Sequence, residues 1–194
     1  MTKLTPPIPT DKILLHACCA PCSSAIVECL LANGIRPTLF YYNPNIFPEE
    51  EYMKRKNEAI RHCQLLGLDF VDADYQHKTW LNEICGLENE PERGARCLKC
   101  FEIRLQAAAH YAATHGFQVF ATTLSTSRWK NLAQINAAGE KAMSDNEGTI
   151  FWGANWRKGG LQNRRSELIA QYGFYNQTYC GCEFSMQHTK DKKS

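Results

Sequence analysis

The sequence predicts an α/β protein, a three-layer sandwich with a mainly parallel sheet, followed by an irregular cysteine-rich C-terminal segment. Two observations carry this prediction. Short runs rich in β-branched and aromatic residues alternate with longer amphipathic segments from residue 13 to 172, and such alternation calls for parallel strands joined by right-handed helical crossovers. Glycine or Asn-Gly closes several of the longer segments, as helix ends require. The length of 194 residues, with 44% hydrophobic and 22% charged residues, suits one globular domain and excludes fibrous or disordered classes. That domain is placed at residues 12–186, with 1–11 and 187–194 as loose termini.

The elements follow in order. Ile13 to Ala17 reads as a strand, Cys18-Cys-Ala-Pro-Cys22 with the two following serines as a tight turn, and Ala25 to Ala32 as a helix stopped by Asn33-Gly34. Thr38 to Tyr42 is a second strand, Asn43 to Pro48 a loop, and Pro48-Glu-Glu-Glu51 opens a charged helix that Gly67 ends. Leu68 to Ala73 is a third strand. A short helix near Lys78 to Ile84 and a loop through Pro91 and Gly94 lead to a helix from about Leu98 to His115, capped by Gly116. Phe117 to Leu124 is the clearest strand. Asn131 to Ser144 is a helix, Thr149 to Trp152 a strand, and Leu161 to Tyr172 the last helix. In such a fold, ligands gather at the carboxyl ends of the strands. Cys18-Cys19, Asn43-Pro-Asn45 and Ser125-Thr-Ser-Arg128 fall there.

Composition narrows the chemistry. No apolar run approaches the ~20 residues that a membrane helix needs, and the N-terminus lacks the apolar core and cleavage site of a signal peptide. A cytoplasmic protein without membrane attachment is expected. The chain has ten cysteines, and a reducing compartment keeps thiols free, so metal or redox chemistry leads. Net charge is only +2, yet from Arg128 onward Lys and Arg outnumber Asp and Glu, a weak pointer to a polyanion. Walker, Rossmann, zincin and nucleophile-elbow motifs are absent.

Seven cysteines form three groups: Cys18-Cys19 with Cys22, Cys97-Leu-Lys-Cys100, and Cys180-Gly-Cys182. Cys29, Cys63 and Cys85 read as ordinary packing residues. Four thiolates from Cys18, Cys19, Cys97 and Cys100 suit either an iron–sulfur cluster or zinc, and a CxxC at a helix start gains thiolate character from the helix end. Adjacent ligands are unusual for structural zinc, which leans the reading toward a working centre. Cys180-Gly-Cys182 suits a small strained disulfide of the labile kind, or further metal ligands. Trp156, Arg157, Lys158, Arg164 and Arg165 interleave aromatic and basic character and are the candidate RNA contacts. His16 at a strand end and His62 on a helix read as core or surface histidines and not as ligands. Two other classes fit part of the pattern: a metal-free thiol–disulfide oxidoreductase, and a zinc-stabilised RNA-binding module.

Taken together, Leu14-Leu-His-Ala-Cys-Cys-Ala-Pro-Cys-Ser23, Tyr42-Asn-Pro-Asn-Ile46, Glu51-Tyr52 with Arg55, Arg96-Cys-x-x-Cys100 with Arg104, Thr122-Thr-Leu-x-x-Ser127 and Tyr179-Cys-Gly-Cys182 resemble the QueH-type epoxyqueuosine reductases. The resemblance runs from about residue 13 to 186, and six blocks in the family's order make it specific. Phe47 is a departure, since the family more often carries His in that loop. The resemblance implies a fold similar to the adenine-nucleotide alpha-hydrolase (HUP-like) group, with Cys18-Cys19 in place of its ATP-binding glycine loop. It implies deoxygenation of epoxyqueuosine to queuosine at the wobble position of tRNA, the last step of queuosine synthesis. It also implies that Cys18, Cys19, Cys97 and Cys100 bind a [4Fe–4S] cluster and that Cys180 and Cys182 form a redox-active disulfide. An additional mononuclear iron is left open, and Cys22 receives no role. The expected partners are the tRNA anticodon loop carrying epoxyqueuosine and an electron donor that the sequence does not identify.

Overall fold

A computed structural model of the chain describes residues 2–186, so the C-terminal stretch 187–194 read as loose lies outside the described residues. Five strands, β1 (Lys12–His16), β2 (Arg36–Tyr41), β3 (Phe70–Asp72), β4 (Val119–Thr122) and β5 (Ile150–Phe151), form one sheet in the order β3-β2-β1-β4-β5. Every pairing is parallel; Leu14, for example, sits opposite Thr38 of β2 and Phe120 of β4. The helices are α1 (Ala20–Ala32), α2 (Glu49–Leu66), α3 (His77–Glu83), α4 (Ala95–Thr114), α5 (Leu132–Ser144) and α6 (Leu161–Tyr172).

The period of two along the strands makes three layers. Leu14, Phe40 and Phe120 point to one face, where Phe101, Leu105 and Ala109 of α4 and Ile135 and Ala138 of α5 cover them. Ile13, Leu15, Leu39, Val119 and Ala121 point to the other, against Ile26, Val27 and Leu30 of α1, Cys63 of α2 and Leu161 of α6. Gly139 lets α5 pass directly over Phe151, because a Cβ there would lie 2.3 Å from the ring.

Helix starts differ from the sequence expectation, and the difference matters. Pro21 near the N-terminus of α1 presets the helical backbone, so α1 begins at Ala20 and takes Cys22 into its first turn. Similarly α4 starts at Ala95 behind Gly94, placing Cys97 and Cys100 in its first two turns. The strand expected through Leu124 stops at Thr122, whose hydroxyl accepts the Leu124 N–H at 3.1 Å and turns Thr123–Thr126 into a 3₁₀ turn. Thr2–Ile8, expected to be loose, is tied down. Asn33 binds the Thr2 carbonyl (3.1 Å) and the Leu4 N–H (2.9 Å), while Leu4 and Ile8 pack on the α1 side of the core.

His62 joins α2 to the end of α6. It is buried, edge-on to Phe174 at 5.1 Å and to Tyr172 at 5.4 Å. Burial, aided by the Arg61 charge, pulls its pKa from 6.5 to about 4. The unfolded chain therefore takes up this proton at higher pH than the folded chain does. The contribution is complete above about pH 6.5 and is lost as pH falls toward 4, worth at most roughly 3 kcal/mol. Urea unfolding should show a stability loss over that window that His62→Phe removes.

Candidate active site at the switch point of the sheet

The winding direction of the sheet reverses between β1 and β4, so a crevice opens where their carboxyl ends diverge. His16 closes its floor. Nε2 of His16 faces the Tyr42 carbonyl at 3.2 Å and Nδ1 faces the Thr122 hydroxyl at 2.8 Å. Burial, then the Arg104 charge, lowers this histidine to about 3, so it is neutral. A carbonyl only accepts, which puts the proton on Nε2 and leaves Nδ1 to accept from Thr122. His16 thus locks β1, β2 and β4 together. Just beyond, the Cys18 N–H donates to the Thr123 hydroxyl (3.2 Å), and the Asn43 amide donates to the Ala17 carbonyl (2.9 Å). Buried Arg104 reaches from α4 to the Asn43 side-chain oxygen.

On this floor stand three thiols. The sulfurs of Cys18, Cys19 and Cys22 lie within 4.8 Å of one another, all buried. Hydrogen bonds from Cys19 and Cys22 hold the Cys18 thiol well below its ordinary pKa, with Lys130 and Arg104 adding positive charge. Burial pushes Cys19 up, and the bond to Cys18 pushes Cys22 up to about 11. Burial would depress the half-buried Lys130, but Cys180, Cys18 and Cys22 facing it keep its ammonium above the usual range. Cys18 is therefore the most acidic thiol of the trio, flanked by two thiol donors and two cations.

Cys97 and Cys100 stand outside that trio, although Cys97 packs on the same core cluster. The Arg93 N–H points at the Cys97 sulfur from 3.3 Å. Cys100 is buried beside Cys182, Trp80 and Ile84, and burial pushes it up to about 12 despite Arg104 nearby. Sequence reasoning left Cys22 without a role; the start of α1 at Ala20 brings it beside Cys18 and Cys19. Cys29 and Cys63 are buried away from the group, and Cys85 is exposed.

The C-terminal segment folds back over the thiols. Gln177 donates to the sulfur of Cys19 at 2.9 Å and approaches that of Cys22 at 3.6 Å. Arg55 on α2 pairs with Glu51 at 2.7 Å and donates to the carbonyls of Cys180 (3.2 Å) and Tyr179 (3.4 Å). The Phe47 N–H donates to the Gly181 carbonyl at 2.9 Å, and the Tyr179 hydroxyl donates to the Phe47 carbonyl. Position 47 therefore holds the tail through its backbone, which Phe does as well as His. Gly181 has φ of 131°, and a Cβ there would meet Ile46 at 3.1 Å and Arg55 at 3.2 Å. The Asn43–Ile46 loop and the Glu51–Arg55 turn are thus a cradle for Cys180-Gly-Cys182. Cys180 is exposed and Cys182 buried, and both sulfurs are free in this structure.

A cleft of about 440 Å³ lies over the site, with Cys18, Cys22, Lys130 and Cys180 among the residues lining it. Of the candidate RNA contacts, Arg165 lines it and Lys158 is exposed at the surface. Trp156 is corrected to a core residue: it is 2% exposed, and its indole N–H donates to the Thr122 carbonyl at 3.1 Å. Arg164 is occupied by Glu28 and Glu167, both within 2.8 Å, and Arg157 by the carbonyls of Ser125, Ser127 and Lys130. Arg128, Trp129 and Lys130, which the interleaved basic and aromatic pattern passed over, line the cleft instead. An aromatic flanked by two cations in a polar loop was the available signal. No helix among the described residues is long and apolar enough to cross a membrane.

Known proteins resemble this chain in sequence and in fold. The sequence model of the family described as "Epoxyqueuosine reductase QueH" matches residues 13–188. A curated relative of that name from Haemophilus influenzae is 47% identical over 185 residues, spanning 95% of this chain and 76% of the relative. One from Acinetobacter baylyi is 46% identical over 187 residues, spanning 96% and 86%. One from Thermotoga maritima is 32% identical over 183 residues and spans 93% of each chain. A solved structure described as a predicted subunit of tRNA methyltransferase from Methanocaldococcus jannaschii superposes with a TM-score of 0.53 at 12% identity, covering 86% of this chain and 93% of that one. At that identity the likeness is one of fold alone, a parallel α/β sheet flanked by helices.

Proposed function

Since the chain belongs to the QueH family of epoxyqueuosine reductases, we propose that this oxidoreductase deoxygenates epoxyqueuosine to queuosine at the wobble position of tRNA through the thiols gathered at the sheet's switch point. The observation that carries the reading is that the family match spans the whole site: residues 13–188 include the β1 floor, the α4 cysteines and the folded-back tail.

Removing an epoxide oxygen breaks two C–O bonds, forms a carbon–carbon double bond and releases water, which takes two electrons and two protons. Side-chain acids and bases supply no electrons. Cys180 and Cys182, as a dithiol closing to a disulfide, release two of each. Arg55 and Phe47 hold this segment by the Cys180 and Gly181 carbonyls, with Cys180 on the cleft wall and Cys182 buried behind it. The disulfide is then reduced by an external donor, completing the cycle. Lys130 on the cleft wall places a fixed cation where negative charge develops as the epoxide opens.

The thiols fit a thiophilic metal group. The Cys18 and Cys19 sulfurs lie within 4.8 Å of each other and Cys18 is the more acidic of the two, so they offer soft donors, while Cys97 and Cys100 would complete the set from the start of α4. In this proposal Cys18, Cys19, Cys97 and Cys100 would hold a [4Fe–4S] cluster, which when bound supplies electrons at low potential. The charge of Arg104 acts on both Cys18 and Cys100 and offsets part of the negative charge of the sulfurs.

Expression of this chain in a bacterium that lacks its own epoxyqueuosine reductase tests the activity. Mass spectrometry of tRNA nucleosides should show epoxyqueuosine replaced by queuosine, a loss of one oxygen. Unchanged epoxyqueuosine in cells that accumulate the protein would overturn the reading.

A further inference from the structure

Trp129 is 79% exposed, more than any other large hydrophobic residue among the described ones. Leaving an indole in water is costly to explain as packing, and Trp129 sits on the wall of the cleft that also holds Cys18 and Cys180. Its backbone is not free. Arg93 donates to the carbonyls of Trp129 (2.8 Å) and Arg128 (3.4 Å) from one side. From the other, Arg157 donates to the carbonyls of Ser125 (3.1 Å) and Lys130 (2.8 Å) and also to that of Ser127. Two guanidiniums thus hold this loop by five successive or near-successive carbonyls, and Gln134 fixes Arg93 in turn by donating to its carbonyl at 2.8 Å. Arg93 itself has φ of 71°, a left-handed backbone that a non-glycine residue adopts at a cost.

Cations dominate the surroundings, with Glu92 the one acidic residue among the described ones that line the cleft. Arg128 is exposed beside the indole, and Arg165 enters the same cleft from α6, anchored to Asn176 at 3.1 Å. An exposed aromatic ring on a pinned backbone, sharing a polar cleft with Arg128 and Arg165, matches single-stranded nucleic acid, whose bases offer π-faces and whose phosphates offer charge. It does not match an apolar protein groove, which would surround the ring with further hydrophobic residues.

We propose that Trp129 is the stacking platform for an unpaired anticodon-loop base next to the nucleoside in the cleft, with Arg128 and Arg165 on the adjoining phosphates. This rests on the reading of the chain as a tRNA-modifying reductase and adds the residue that fixes the register of the loop. Trp129 is a positioning residue, because it holds a neighbouring base and not the reacting atoms.

The test uses the metal-loaded protein and an anticodon stem–loop carrying epoxyqueuosine. Trp129→Ala should weaken binding about 5- to 150-fold, the range of one base–aromatic stack, and raise KM in step, while Trp129→Phe recovers most of the loss. Salt slopes separate the two kinds of contact. Trp129→Ala should leave the slope of log affinity against log salt unchanged, whereas Arg128→Gln or Arg165→Gln should each reduce it by about 0.7. Indole fluorescence should quench on binding in wild type and not in Trp129→Phe. Wild-type turnover with unchanged affinity, KM and quenching in the Trp129 variants would overturn this proposal alone. A wild type that neither binds nor reduces the stem–loop would overturn the functional reading and this proposal with it.

Discussion

Serine at both Cys180 and Cys182 is expected to lower the reduction rate by roughly 10³-fold or more while leaving tRNA affinity within a few-fold of wild type. The reason is electron supply. Oxygen removal needs two electrons at once, and a hydroxyl pair of nearly the same size keeps the backbone contacts but cannot be oxidised to a disulfide. Those contacts are made by carbonyls: Arg55 binds those of Tyr179 and Cys180, and Phe47 binds that of Gly181. The variant tail should therefore remain in its cradle, and circular dichroism and thermal unfolding should match wild type. Single-turnover assays with a chemical reductant make the check. Undiminished turnover would remove the dithiol from the account and leave the electrons to come from elsewhere.

The second large effect concerns metal. Alanine at both Cys97 and Cys100 should reduce iron and sulfide in anaerobically purified protein from about four of each per chain to near zero and abolish absorbance near ~400 nm. Cys22→Ala provides the contrast, because the structure groups Cys22, not Cys97 or Cys100, with Cys18 and Cys19. If the ligands are Cys18, Cys19, Cys97 and Cys100, the Cys22 variant keeps its iron. Iron lost from the Cys22 variant and retained without Cys97 and Cys100 would instead assign the ligands to the trio on α1.

Much of this fold was legible because the apolar period changes cleanly between two and 3.6 along the chain. All five strands and six helices lie within a few residues of their expected places. What period alone could not supply were the helix starts, where Pro21 and Gly94 advance α1 and α4 and so decide which cysteines share a turn. The site was legible as cysteine spacing but not as geometry. Basic neighbours alone did not separate Trp156, which the fold buries beneath β4, from Trp129, which it leaves in water. Trp129 has a cation on each side and Trp156 on one, but the sheet and α6 decide which ring is covered. Arg55 shows the converse. The sequence places it only in a family block on a charged helix, yet its guanidinium is buried with Glu51 and holds the cysteine-bearing tail 125 residues away in sequence.

The most direct measurement of the central claim is anaerobic conversion of epoxyqueuosine-containing tRNA by the purified, iron-loaded protein with a supplied reductant, followed by chromatography of the digested nucleosides. The account predicts that queuosine appears in proportion to the epoxyqueuosine lost, and that conversion ceases when the tRNA is replaced by one lacking the modified nucleoside's epoxide. Persistence of epoxyqueuosine in the presence of fully loaded protein, reductant and bound tRNA would contradict it.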